Sequence, residues 1–255
     1  MKGADGDALT AKRRAEPAWV WPAIVFGLVF PSLLSLADFV ILAKGGGGSN
    51  PLQQFAYAGG KLVQFALPLV CYYLLAGRLP RPTAPRARGL GLGAVFGLVV
   101  AGGILALYYT FLRDSPILGQ TPVKLREKLQ EFGIASTTGF AFFAVFISLI
   151  HSLLEEYYFR WFLFGWLARR VPLVTAIVVS SLGFMAHHVI VLWVYMPDHL
   201  LTGVLPLSLC VAVGGACWAW LYYRSGSLYA PWLSHMLVDV ALFVVGYDLF
   251  FVRGT

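Results

Sequence analysis

Residues 89–112, GLGLGAVFGLVVAGGILALYYTFL, run for 24 positions without a charged side chain. About 20 helical residues cross the hydrocarbon core of a bilayer, so this stretch reads as a membrane span. Comparable runs lie on both sides of it, at about 19–43, 62–79, 137–168, 173–196, 203–223 and 229–251, which makes seven expected spans. Lipid offers no partner to a backbone N–H or C=O, so each run is expected to pair its own backbone as a helix. The expected fold class is all-α, a polytopic transmembrane helix bundle of about seven spans. The run at 137–168 is long enough that part of it tilts, kinks or leaves the membrane plane.

Composition agrees. Hydrophobic residues make up 59% of the chain and charged ones 12%, with a mean hydropathy of +0.75; a single soluble core could not hide so much apolar surface. The net charge of +7 comes from basic residues crowded between the apolar runs, a pattern that suits lipid headgroups and not nucleic acid. Cys71, Cys210 and Cys217 lie in apolar runs without CxxC spacing. They indicate neither a disulfide framework nor a thiolate zinc site, and all three are expected to be small buried residues. Lys12, Arg13 and Arg14 precede the first run as a signal sequence would begin, but that run is too long for a cleaved segment and is interrupted by Pro22, Pro31 and Asp38. An uncleaved first span is expected.

Between the runs, KGGGGSNP at 44–51 reads as a flexible loop and RLPRPTAPRAR at 78–88 as a stiff basic one. From Pro122 to Phe132, Leu125, Leu129 and Phe132 recur at helical spacing while Lys124, Arg126, Glu127, Lys128 and Glu131 fall elsewhere. That predicts an interfacial amphipathic helix with a solvated charged face. Eleven basic residues (Lys2, Lys12, Arg13, Arg14, Arg78, Arg81, Arg86, Arg88, Arg169, Arg170, Arg224) fall on the side of the N-terminus, against seven (Lys44, Lys61, Arg113, Lys124, Arg126, Lys128, Arg253) on the other. The excess predicts a cytoplasmic N-terminal tail, residues 1–18, in an inner or plasma membrane.

Ionisable side chains inside a span cost about 2.5–3.5 kcal/mol each on insertion scales, so those without an evident structural reason are functional candidates. Here they cluster: His151, Glu155, Glu156 and Arg160 in the fourth run, His187 and His188 in the fifth, His235 and Asp239 in the seventh. Glu156 and Arg160 are four residues apart, the favoured order for an ion pair within a helix. Glu155 points about 100° away from Glu156 on a helix of 3.6 residues per turn, so it needs partners from other helices, and the histidines of the fifth and seventh runs are available. A carboxylate beside imidazoles can hold a water, take its proton and direct it at a carbonyl, which is general-base hydrolysis. His235 and Asp239, also four apart, present two polar groups toward one point.

These residues form three motifs in order: EExxxR at Glu155–Arg160, FxxxH at Phe184–His188 after Ser180 and Ser181, and His235 followed four residues later by Asp239. On these motifs the sequence resembles the CPBP group of intramembrane proteases, which includes the type II CAAX prenyl endopeptidases and the bacterial Abi-type proteins. The resemblance covers about residues 137–251, an expected catalytic transmembrane core, and leaves 19–136 as an N-terminal transmembrane elaboration. It implies that Glu155 activates water with help from His188, that Glu156 and Arg160 hold the helix and its charge, and that His235 and Asp239 face the oxyanion. Many members carry asparagine where this chain has Asp239, and an ionised aspartate cannot donate a hydrogen bond. Glu155, His188 and His235 could also supply a zinc site of two histidines and one carboxylate with an open water position. No HExxH is present and the three ligands would come from three helices, so a metal-free site without cofactor is the preferred expectation. His151, His187, Asp38 and Asp248 are expected in structural or solvated roles.

The function implied is an endopeptidase that hydrolyses a peptide bond of a membrane-anchored or C-terminally tailed protein, near its tail. The alternative is a non-catalytic membrane protein using the same polar cluster, such as a bacteriocin immunity factor, a scaffold or a transporter. The intact motifs weigh against it, and the paired broken helices of a transporter with two similar halves are not found.

Overall fold

The structure is a computed structural model that describes residues 17–43, 50–80, 87–134 and 136–253. It is all-helical, with 84% helix and no strand among the described residues. Among the described residues seven helices are long and apolar enough to cross a membrane: α1 (Val20–Ile41), α2 (Pro51–Ala76), α3 (Leu90–Leu112), α5 (Thr137–Leu167), α6 (Leu173–Tyr195), α7 (Leu200–Ser225) and α8 (Tyr229–Val252). The expected amphipathic segment forms α4 (Thr121–Glu131). Phe55, Phe111 and Leu201 are each at least 75% exposed on outward faces, which only a hydrocarbon surround makes tolerable. The chain is a multi-pass integral membrane protein. The N-terminal tail through residue 16, the glycines of 44–49 and the centre of the basic loop, 81–86, lie outside the described residues.

The second span differs from its expected bounds. It begins at Pro51, not at 62, because Asn50 is extended and proline at the first helical position starts the helix. Gly59 and Gly60 do not interrupt it, and Gly60 receives Leu34 of α1, whose Cδ1 lies 2.3 Å from where a Cβ would stand. Gly77 ends it in the left-handed region, at φ 69°. Lys61 therefore lies within the span, about 15 Å along the axis from Pro51 at 1.5 Å per residue. It leaves the tally of loop charges, which becomes eleven against six.

Packing centres on α5. Tyr158, Phe159, Phe162 and Leu163 are fully buried against Val20 and Ile24 of α1, Phe184 of α6 and Trp218 of α7, and the Tyr158 hydroxyl donates to the Gly27 carbonyl at 2.8 Å. Backbone hydrogen bonding in α5 widens to the π pattern at Phe146–His151 and again at Tyr157–Phe164, bracketing the α-helical Ser152–Glu156. Such widened turns often mark functional segments. On the far side, α3 meets α8 backbone to backbone, because a Cβ on Gly93 would stand 2.3 Å from the Ala230 carbonyl oxygen and one on Gly97 2.9 Å from the Ser234 Cα.

Helix α4 corrects another expectation. Leu129 is buried as its spacing predicts, but Lys128 and Glu131 are not solvated: Lys128 Nζ lies 3.0 Å from both Asp38 Oδ2 and Glu131 Oε2. Gln53 completes the cluster by donating to the Asp38 carbonyl at 2.8 Å. Asp248 is likewise buried, accepting from Tyr108 Oη at 2.6 Å and from Arg113 Nε at 3.0 Å. Both aspartates are structural, each tying two or more elements together. The cysteines are all free, but only Cys71 is buried; Cys210 is exposed and Cys217 intermediate, and Cys210 lines the cavity described below.

The α3–α8 seam gives a stability test. Gly93→Ala is expected to cost about 1–3 kcal/mol through overpacking against backbone that cannot retreat. Gly102→Ala, with nothing within 4 Å of its added methyl, is expected to unfold like the wild type. Thermal unfolding of the two variants in detergent checks this.

Candidate active site

Glu155 and Glu156 follow one another on α5, are 6% and 0% exposed, and find different partners. Glu155 lies among three imidazoles from three helices. His151 Nε2 is 3.3 Å and His187 Nε2 3.7 Å from its Oε1, while His235 Nε2 is 3.8 Å from its Oε2. Glu156 Oε2 lies 3.2 Å from Arg160 Nε one turn on, and its Oε1 lies 2.9 Å from His235 Nδ1. The ion pair with Arg160 is a charge contact without hydrogen-bond alignment. The guanidinium is instead enclosed by rings, 4.6 Å from the Phe184 centroid and 5.2 Å from that of Trp218, a cation–π arrangement that strengthens out of water.

His235 is the hinge of the geometry. With Nδ1–H donated to Glu156, its Nε2 faces both Glu155 and Asp239 Oδ1, the latter at 3.7 Å. The imidazole is clamped in plane by Trp218, stacked at 4.2 Å and 18°, and the Trp218 indole donates to Ser234 Oγ at 2.9 Å. A carboxylate on one ring nitrogen fixes which face of the other is presented. The remaining separations, 3.7–3.8 Å, exceed a direct hydrogen bond.

The residues expected from sequence are thus partly brought together. Glu155, Glu156, Arg160, His235 and Asp239 form one connected group. His188 does not join it by contact: its Nδ1 lies 2.9 Å from the Phe184 carbonyl oxygen, it stacks near His187 at 4.1 Å, and among the described residues it pairs with no carboxylate. His151 and His187, expected as ordinary helix contacts, are the imidazoles beside Glu155. The position of His151, one turn before Glu155, was readable as a same-face pair; that of His187 depends on how α6 is rotated against α5. Trp218 and Ser234 carried no motif signal.

A cavity of about 490 Å³ opens between α3, α6, α7 and α8, with α4 along one wall. His188, His235, Asp239, Phe184 and Trp218 mark its polar end, while Ile104, Leu125, Leu242 and Leu249 are among the apolar side chains beyond. Glu155 stands behind His235 and outside this lining. Among the described residues no three His, Cys, Asp or Glu side chains are grouped to hold a metal ion. The set Glu155, His188 and His235 is not assembled, because His188 faces the cavity and its own helix backbone.

Residues 137–241 match the protein-family model described as type II CAAX prenyl endopeptidase Rce1-like. The match covers residues 137–241 and makes that segment similar to the type II CAAX prenyl endopeptidases. No match was found among curated proteins or solved structures.

Removing Arg160 strands Glu156 in a fully buried site. Arg160→Ala is expected to destabilise the fold by about 3–5 kcal/mol, and Arg160→Ala combined with Glu156→Gln is expected to recover part of that loss. Chemical denaturation of both variants in detergent provides the comparison; a double variant no more stable than the single one would exclude a stranded charge as the cause.

Proposed function

We propose, with a CPBP-family protease core as the premise, that this chain hydrolyses a peptide bond near the C-terminal tail of a membrane-anchored protein, by water that Glu155 activates. The observation carrying this reading is the disposition of His235, held by Glu156 through one nitrogen and facing Glu155 and Asp239 with the other. Glu155 accepts a proton from the attacking water, the scissile carbonyl carbon gains the hydroxyl, and the same proton passes to the departing amine. His235, oriented by Glu156 and carrying a proton on each ring nitrogen, donates from Nε2 to the oxygen on which negative charge develops, and Asp239 in its neutral form donates beside it. His151 and His187 fix the Glu155 carboxylate from its other side. No step is assigned to a metal ion.

The cavity favours a substrate with a long apolar anchor, because its walls beyond the polar end are aliphatic and aromatic. A prenylated cysteine tail fits that chemistry. The excess of basic residues on the N-terminal side favours a cytoplasmic N-terminus in an inner or plasma membrane. A non-catalytic role gives no reason for a carboxylate, an imidazole and a second carboxylate to converge beside a cavity at the desolvation cost of membrane burial.

Purified protein with an anchored tail peptide tests the reading. Glu155→Gln is expected to lower kcat by about 100-fold or more, the scale of a lost general base, with expression and membrane insertion unchanged; near-normal turnover would sink the mechanism. Activity is expected to survive exhaustive dialysis against chelator, and loss that stoichiometric zinc reverses would replace the metal-free chemistry.

The same assay separates the roles open to Asp239. Asp239→Asn, which keeps a hydrogen-bonding group, is expected to retain partial activity, and Asp239→Ala to fall by about 100–1000-fold, the usual loss for one oxyanion donor. Equal kcat in the two variants would remove Asp239 from the reaction.

A further inference from the structure

The two imidazoles behind Glu155 differ in what they can do. His151 Nε2 lies 3.3 Å from Glu155 Oε1 and is the nearest of the three histidines to that carboxylate. His187 Nε2 stands 3.7 Å from the same oxygen, beyond hydrogen-bond range, whereas 3.3 Å is at its outer edge. The His187 ring is stacked on Phe159 at 5.6 Å and 17°, and its Nδ1 is buried with no hydrogen-bond partner among the described residues. The two carboxylate oxygens are unequal as well. Oε1 meets both of these rings, while Oε2 faces His235 Nε2, and of the three histidines it is His235 that lines the cavity.

Local sequence builds the His151 contact into one helix. Ser152–Glu156 is α-helical between two widened stretches, so the i,i+4 relation sets His151 and Glu155 on one face. Continued π hydrogen bonding, which runs from residue i to i+5, would favour Glu156 in that place. The contact therefore does not depend on how neighbouring spans are rotated, whereas those of His187 and His235 do. A glutamate side chain has up to about 2 kcal/mol of rotamer freedom to lose on being held, and a general base works only while its oxygen stays within reach of the proton it takes. Resting on the proteolytic reading above, we infer that His151 is a positioning residue for Glu155: its Nε2–H holds Oε1, which leaves Oε2, on the His235 side, as the oxygen that takes the proton of the attacking water. The water O–H breaks as its oxygen bonds the scissile carbonyl carbon. The same proton then leaves Oε2 for the departing amine as the C–N bond breaks. His151 keeps its own proton throughout and acts on the reaction only through Glu155.

Three substitutions in the full-length protein test this. His151→Gln keeps an N–H donor, His151→Phe keeps a ring against Phe65, which His151 meets edge-on at 6.1 Å, but has no donor, and His151→Ala keeps neither. The first readout needs no turnover: the infrared carboxylate band of Glu155 in detergent, isolated by subtracting a matched Glu155→Gln spectrum. The band is expected to shift in His151→Phe and His151→Ala and to stay near its wild-type position in His151→Gln. A band unmoved in all three overturns the assignment whatever the activity. With an anchored tail peptide, His151→Phe and His151→Ala are expected to lower kcat by roughly 10–100-fold with KM unchanged, the upper figure being the cost of misplacing a reacting group by about 1 Å. His151→Gln is expected to recover most of that loss. Wild-type turnover in His151→Phe would reduce His151 to packing, and equal losses in His151→Phe and His151→Gln would tie its role to the imidazole and not to its donor; either result rejects the proposal. The expected band shifts without Glu155-dependent cleavage remove the protease reading, whereas Glu155-dependent cleavage with an unmoved band removes His151 alone.

Discussion

A carboxylate with no exposed surface, Glu156, holds a guanidinium on its own helix and an imidazole on another. The remainder of the core is arranged to make that tolerable. An ion taken out of water loses several kcal/mol of hydration even after relaxation. Here the loss is offset in pieces: Arg160 supplies the countercharge, Phe184 and Trp218 supply ring faces to the guanidinium, and His235 supplies a hydrogen-bond donor. Those groups come from α5, α6, α7 and α8, so the requirement to neutralise one buried charge fixes how four spans are rotated against each other. Packing among apolar helices in lipid has no comparable power to choose a rotation, because lipid tails are as apolar as the side chains they replace.

His235 also divides the interior. On one of its sides is the charged pocket of Glu155, His151 and His187; on the other is the cavity, apolar except at its end. An ionised carboxylate opening directly into an aliphatic chamber would draw water along it. An imidazole stacked on Trp218 lets the carboxylate act at the boundary without lining the chamber.

Much of this was legible from the apolar runs between residues 19 and 251. Span number and helical class follow from lengths of uncharged sequence, since hydrocarbon thickness and backbone pairing leave few alternatives. Pairs within one helix, such as Glu156 with Arg160, follow from the period of 3.6. What failed was what depends on rotation between helices. His187 and His188 are neighbours on α6, and the resemblance through FxxxH implied the second as the partner of Glu155, whereas the turn of α6 brings the first. The start of α2 was missed: the helix runs on through Gly59 and Gly60, and Gly60 is where Leu34 presses close. Lys128 and Glu131 were read as solvated because nothing in the local pattern announces that Asp38, 90 residues away, lies beneath them.

The contact beneath α4 bears on how the protein meets its surroundings. Lys124 and Glu127, one turn earlier on that helix, are about a third or more exposed and 3.6 Å apart, while Lys128 and Asp38 are 13% and 3% exposed at 3.0 Å. Dissolved salt screens exposed charges over about 8 Å at physiological strength but acts weakly on pairs shielded from it. The helix that supplies Thr121 and Leu125 to the cavity wall is therefore fastened by an attraction that ionic strength hardly reaches. Brackish or dilute surroundings change what the outer charges feel and leave the wall of the chamber where it is.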